Sequence, residues 1–203
     1  MEETDIINRF KLSMPMAKTD FPKLKKQKEE AKEVLFKRCW PNDKTHTPLI
    51  VIFDSKDSGM HEVLHKLMEG LLVLPIKVIA VSSVEKPDLI KHPIGKITWV
   101  SPENGRNYPE IEKYLLAADM AILFEEHILE LENIMKKGVV IVANKKSPLL
   151  QNYHPNNETG NSFTFDSNNP WEIFMALVRA LETFKFPYDW ENIVRGLVKN
   201  SVK

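Results

Sequence analysis

Three groups of residues combine types and spacings that could do chemistry. Glu125, Glu126 and His127 set two carboxylates and an imidazole side by side, able to hold a sugar hydroxyl or relay a proton. They equally suit a polar helix start, where acidic side chains meet the positive end of the dipole. His61-Glu62-Val63-Leu64-His65 is an H-E-x-x-H sequence. On a helix its two imidazoles share a face and can bind zinc, with the glutamate as general base. Against this, a lysine follows at Lys66, only Glu85 and His92 offer themselves as further ligands, and surface histidines are the plainer reading. Lys145 and Lys146 could supply cations to an anionic ligand, or could belong to a solvated loop. Nucleophilic Ser/His/Asp chemistry has no support, because no G-x-S-x-G elbow occurs.

The elements that must position these groups follow from hydrophobic periodicity. Continuous apolar runs at Pro48–Phe53, Pro75–Val81, Gly95–Val100, Met120–Phe124 and Val139–Ala143 read as strands buried on both faces, with a further short one at Asn161–Phe165. Between them, helical spacing marks Pro22–Arg38, Gly59–Leu72, Tyr108–Ala118 and Ile128–Lys137, with a shorter helical candidate near Asp88. Two closing helices are expected at Pro170–Phe184 and Asp189–Lys199. Alternation of strands and helices predicts an α/β fold, a doubly wound parallel sheet, because parallel strands require crossover connections. Ligands of such sheets bind beyond the carboxyl ends of the strands, so functional residues are expected just after Phe53, Val81, Val100, Phe124 and Ala143.

The chain has 203 residues, room for one good core, and 28 basic against 28 acidic side chains. This balance removes any whole-chain electrostatic case for nucleic acid or an anionic membrane. The lysine-rich run from Lys23 to Lys32 reads as the solvated face of a helix. Cys39 is alone, excluding an internal disulfide. The acidic start has no apolar leader and no segment is long and apolar enough to span a bilayer, so a cytoplasmic, soluble protein is expected. Residues 1–21, interrupted by Pro15, read as an N-terminal arm before a single domain over 22–203. Trp99, Trp171 and Trp190 read as core or rim aromatics.

In their order and spacing, several segments resemble the C-terminal domain of bacterial glycogen and starch synthases, retaining glucosyltransferases of the GT-B class. Lys28-Glu-Glu-Ala-Lys-Glu-Val-Leu-Phe36 before Pro48-Leu-Ile is similar to the family's K-x-x-N-K-x-x-L-Q helix and P-L-I strand. Ala118-Asp119 resembles its G-A-D, Met135-x-x-Gly138 its A-M-R-Y-G, and Gly160-Asn-Ser-Phe-Thr-Phe165 its G-x-G-F-x-F. Arg179-Ala-Leu-Glu-Thr-Phe-Lys-Phe-Pro-Tyr-Asp-Trp190 is similar to the closing R-A-L-x-x-Y-x-x-P-x-x-W. The resemblance implies one Rossmann-like half of a GT-B enzyme, with C-terminal helices and a nucleotide-sugar donor of the ADP-glucose type.

It also implies where the donor would sit. The family's S-R-x-x-x-Q-K-G loop brings an arginine and a lysine to the pyrophosphate; here the loop reads Asp54-Ser-Lys-Asp-Ser-Gly59. Ser58 stands at the lysine position and Gly59 at the glycine, leaving Lys56 to meet phosphate charge. The E-P-C-G-L element becomes Glu125-Glu-His-Ile-Leu129, which keeps Glu125 for the sugar and Leu129 for the floor but puts Ile128 at the glycine. The T-G-G-L element becomes Lys146-Ser147-Pro148-Leu149, and Pro148 has no N–H to offer phosphate. The seven glycines nowhere form a G-x-G loop.

The resulting expectation is a divergent nucleotide-sugar-binding domain, inactive alone and needing no cofactor or metal. It would have a nucleotide sugar or glucan as ligand and a separate synthase N-terminal domain or a homodimer as partner. The GT-B acceptor side belongs to an N-terminal domain for which this chain has no room. The alternatives are the C-terminal half of a split ADP-glucose-dependent glucan synthase, a non-catalytic interaction scaffold, and a zinc hydrolase using His61 and His65.

Overall fold

The computed structural model describes residues 20–54, 61–82, 95–100, 108–124 and 131–200. Its first helix, α1 (Phe21–Cys39), carries Pro22 in its first turn and buries Leu24, Leu35 and Phe36. Burying Phe36 alone contributes about 2 kcal/mol of hydrophobic free energy. Strand β1 (Leu49–Asp54) follows, then α2 (His61–Val73), β2 (Lys77–Ser82), β3 (Ile97–Val100), α3 (Tyr108–Ala117) and β4 (Met120–Leu123). The remainder is α4 (Leu131–Lys136), β5 (Val140–Asn144), β6 (Ser162–Phe165), α5 (Pro170–Phe184) and α6 (Pro187–Asn200).

All six strands join one sheet in the order β3-β2-β1-β4-β5-β6, and each neighbouring pair is parallel. Leu49 to Phe53 in β1 and Val140 to Ala143 in β5 are almost wholly buried, as continuous apolar runs between helical layers should be. Helix α5 shows the matching helical period: Ile173, Ala176, Leu177, Ala180 and Leu181 face the core. Its start is capped twice. Asn169 Oδ1 accepts the Trp171 N–H at 2.9 Å, and Glu172 reaches back to the Ser167 N–H at 2.8 Å.

Each strand expected from the apolar runs is present, and end positions move by a residue or two. The final helix begins at Pro187 rather than Asp189, because proline is compatible with a first turn. The arm over residues 1–21 gives way to helix at Phe21; residues 1–19 and the helical candidate near Asp88 lie outside the described residues.

Two expectations about exposure are corrected. The lysine-rich run is not wholly solvated: Lys32 is 9% exposed and its Nζ lies 2.5 Å from Asp119 Oδ2, while Lys28 Nζ donates to the carbonyls of Leu116 and Ala118. These lysines lie on the helix face that covers the entry to β4, where unpaired carbonyls and a carboxylate reward an inward ammonium. Trp171 is 74% exposed on α5, so it is neither core nor rim.

Candidate functional site at the carboxyl edge of the sheet

The strand order reverses direction between β1 and β4, the switch point beside which sheets of this kind take their ligands. Phe53 of β1 lies opposite Leu123 of β4, so the chain segments starting at Ser55 and Glu125 leave strands about 4.8 Å apart. These carry five of the expected donor residues, Lys56, Ser58, Gly59, Glu125 and Leu129, all outside the described residues, as are Glu126, His127 and Ile128. The described strand ends therefore bring the two segments to one edge.

Strand β5 delivers the third segment to the same edge. Lys145 follows it; its N–H bonds to the Phe165 carbonyl at 3.1 Å and its Nζ lies 2.9 Å from Asp166 Oδ1. That pair is well exposed on both sides and worth a fraction of a kcal/mol. Lys146 is exposed at the next position. Ser147 is buried and does local work: its Oγ accepts the Leu149 N–H at 3.3 Å and its carbonyl accepts the Leu150 N–H. Pro148 occupies the second position of this turn, where a fixed φ is an advantage. The residue without an N–H thus sits where it stiffens a turn.

Asn144, which sequence reasoning did not name, closes β5 at this edge directly after Ala143. Its Nδ2 donates to the Asp166 carbonyl at 3.1 Å, and its Oδ1 is buried without a partner among the described residues. Behind it, the Gly160 segment is locked by short bonds. Asn161 Oδ1 accepts the Gln151 N–H, Asn161 Nδ2 donates to Leu149 O, and Arg179 reaches both Asn152 Oδ1 and Thr164 O. Gly160 has φ +104°, and a Cβ there would come 2.4 Å from Asn152 O, so only glycine fits.

His61, whose side chain lies outside the described residues, opens α2, with Glu62 exposed and His65 half-buried; Leu64, Leu67, Met68 and Leu71 hold this helix in the core. Among the described residues no three or more His, Cys, Asp or Glu side chains gather to hold a metal ion. No described helix is long and apolar enough to cross a membrane.

No protein-family model matches the sequence. Glycogen synthase 1 of Synechocystis is 34% identical over 62 residues, which are 29% of this chain and 13% of that protein. The catalytic domain of starch synthase IV from Arabidopsis thaliana, solved with ADP and acarbose, superposes with a TM-score of 0.67 at 20% identity, covering 84% of this chain and 38% of that one. The chain has a glycogen/starch-synthase-like GT-B fold. The catalytic domain of cholesterol-α-glucosyltransferase from Helicobacter pylori shares the GT-B architecture more distantly, with a TM-score of 0.51 at 16% identity over 76% of this chain and 97% of that one. This GT-B domain spans well under half the length of the glycogen synthase and starch synthase chains it matches.

Proposed function

We propose that this chain is a nucleotide-sugar-binding GT-B domain of the ADP-glucose type, a divergent relative of the glycogen/starch synthase C-terminal domain that does not transfer sugar alone. One observation carries the reading: the β1–β4 switch point belongs to a fold shared over 84% of the chain with a starch synthase domain solved with ADP. In this reading residues 22–203 act as one cytoplasmic domain. Glu125 holds a sugar hydroxyl and Leu129 floors the site. Lys56 and Lys146 offset phosphate charge beside Ser58, Gly59 and Ser147. The lack of transfer by this chain alone follows from the chemistry at these positions. Ser58 stands where a lysine would stabilise a departing nucleoside diphosphate, and Pro148 removes an N–H donor.

The test is thermal unfolding with ADP, ADP-glucose or UDP-glucose, since a ligand that binds only the folded state raises the midpoint. The expected result is a rise with ADP-glucose that Glu125→Ala diminishes. No rise with any of the three at millimolar concentration would remove donor binding. Should the chain be half of a split synthase, a separate N-terminal synthase domain would restore glucan synthesis on mixing.

An interaction role is a second reading, favoured by the outer face of α5, where Trp171 and Met175 are 74% and 58% exposed, four residues apart. Sedimentation of the wild type beside a Trp171→Ser, Met175→Ser variant tests it. A monomer in both cases argues against self-association through this face.

A further inference from the structure

The opposite edge of the sheet holds a cavity of about 500 Å³, in the range of small-molecule sites. Thr45 and His46 precede β1, Asp119 precedes β4 and Gly138 precedes β5, so the cavity lies at the amino ends of the strands, away from the proposed donor site. Phe21, Phe184 and Trp190 contribute to its walls. Phe184 and Trp190 meet edge to face with centroids 5.0 Å apart, and Phe21 lies beneath the Arg195 guanidinium, 4.3 Å from its carbon.

The charges around the cavity are almost all matched. Lys32 pairs with Asp119 at 2.5 Å, Lys25 with Glu191 at 3.1 Å, and Glu191 also with Arg195 at 2.6 Å. Nearby Lys137 pairs with Glu112 at 2.8 Å, and Glu29 stands exposed at the rim. Lys28 differs. Its Nζ donates to two carbonyls at the end of α3, Ala118 O at 2.7 Å and Leu116 O at 3.3 Å, and has no ion pair among the described residues. An ammonium has three donors, so one remains for a ligand.

We propose that this cavity binds a small organic anion built on an aromatic ring, its acid group on Lys28 and its ring against Phe184 and Trp190. The anion supplies a direct ion pair to an ammonium that meets only carbonyls and feels an Asp119 carboxylate already paired with Lys32, and the ring matches the apolar side chains beside it. Desolvation by burial lowers the Lys28 pKa to about 8, with the Lys32 and Lys137 charges adding to the shift and Asp119 opposing it. A bound anion favours the protonated amine, so affinity falls as pH rises through about 8. Asp119, Lys32, Lys25, Glu29, Glu191 and His46 also line the cavity and the Lys137 charge acts on Lys28, so a Lys28→Met variant isolates the contribution of Lys28 from theirs.

The probe is 8-anilinonaphthalene-1-sulfonate, followed by its fluorescence, with the neutral N-phenyl-1-naphthylamine as control. Saturable one-site binding is expected, weakened about tenfold by Lys28→Met, the equivalent of one charge-assisted hydrogen bond, and largely kept by Lys28→Arg. Affinity for the sulfonate should drop between pH 7 and 9.5 in the wild type while the neutral probe stays level. Equal affinity in Lys28→Met, or a flat pH profile, overturns the proposal. Should Lys28→Met fail to fold, the wild-type pH profile and the comparison of the two probes decide alone. Displacement of the sulfonate by ADP-glucose would also overturn it, since the proposed donor site is at the other edge; failure of donor binding leaves this test unaffected.

Discussion

Lys32 of α1 and Asp119 at the entry to β4 form a buried ion pair, Nζ to Oδ2 2.5 Å, and the same carboxylate oxygen accepts the Leu49 N–H at 2.8 Å. One carboxylate thus joins the first helix, the first strand and the fourth strand. Their side chains are only 11% and 14% exposed, so removing one partner leaves the other charged and desolvated. Asp119→Ala should cost about 3–5 kcal/mol in urea unfolding. The Lys32→Met, Asp119→Asn double variant should recover much of that loss, because it removes both charges of the pair together. A cost below about 1 kcal/mol for Asp119→Ala would show the pair to be solvated.

The pH dependence of stability should carry the mark of Lys28. Its folded pKa is about 8 against 10.5 for an ordinary lysine, so between those values the unfolded chain binds more protons than the folded one. Stability then rises with pH across that window, by at most about 1.4 kcal/mol per unit, and the burden of the buried charge is greatest below pH 8. Lys28→Met should lack this rise. Parallel stability profiles for the two proteins from pH 7.5 to 10 would refute the shift.

The architecture was legible because parallel strands buried on both faces leave uninterrupted apolar runs, as Leu49–Phe53 and Val140–Ala143 do. The inward lysines were not. Lys28 and Lys32 look like any solvated charges until α1 is laid over the end of α3 and the Asp119 carboxylate, which are about 90 residues away in sequence. Lys77 is a parallel case, 7% exposed in β2 and paired with Asp43 at 2.6 Å. Of the site, the sequence announced the edge but not the local duties: Ser147 and Asn144 have the right place, and only the turn and the Asp166 carbonyl reveal what their side chains hold.

Two glycines should respond in opposite directions to the same change. Gly160→Ala forces a Cβ to within 2.4 Å of Asn152 O at φ +104°, where the contact is backbone and cannot yield. A loss of about 2–4 kcal/mol is expected, near the upper end for single substitutions. Gly196 lies within α6 with nothing within 4 Å of the added carbon. Gly196→Ala should stabilise by about 0.5–1 kcal/mol through helix propensity. Chemical denaturation of both variants checks the pair, and a neutral Gly160→Ala would mean that this loop rearranges at low cost.

The proposed donor site predicts a division of labour between charge and hydroxyl recognition. Lys146 is exposed beyond β5 and Lys145 has Asp166 at 2.9 Å, so in the proposed site Lys146 is the cation offered to a phosphate. Lys146→Met should weaken ADP and ADP-glucose alike, by about three- to tenfold, because a partly solvated ammonium–phosphate contact is worth about 1 kcal/mol. Glu125→Gln should leave ADP unchanged and reduce only the extra affinity of ADP-glucose, since a sugar hydroxyl donates more strongly to a carboxylate than to an amide. Calorimetric titration of both ligands against both variants gives four affinities. Equal losses for ADP and ADP-glucose in Glu125→Gln would take that glutamate off the sugar, and an unchanged Lys146→Met would leave Lys56 as the remaining candidate cation.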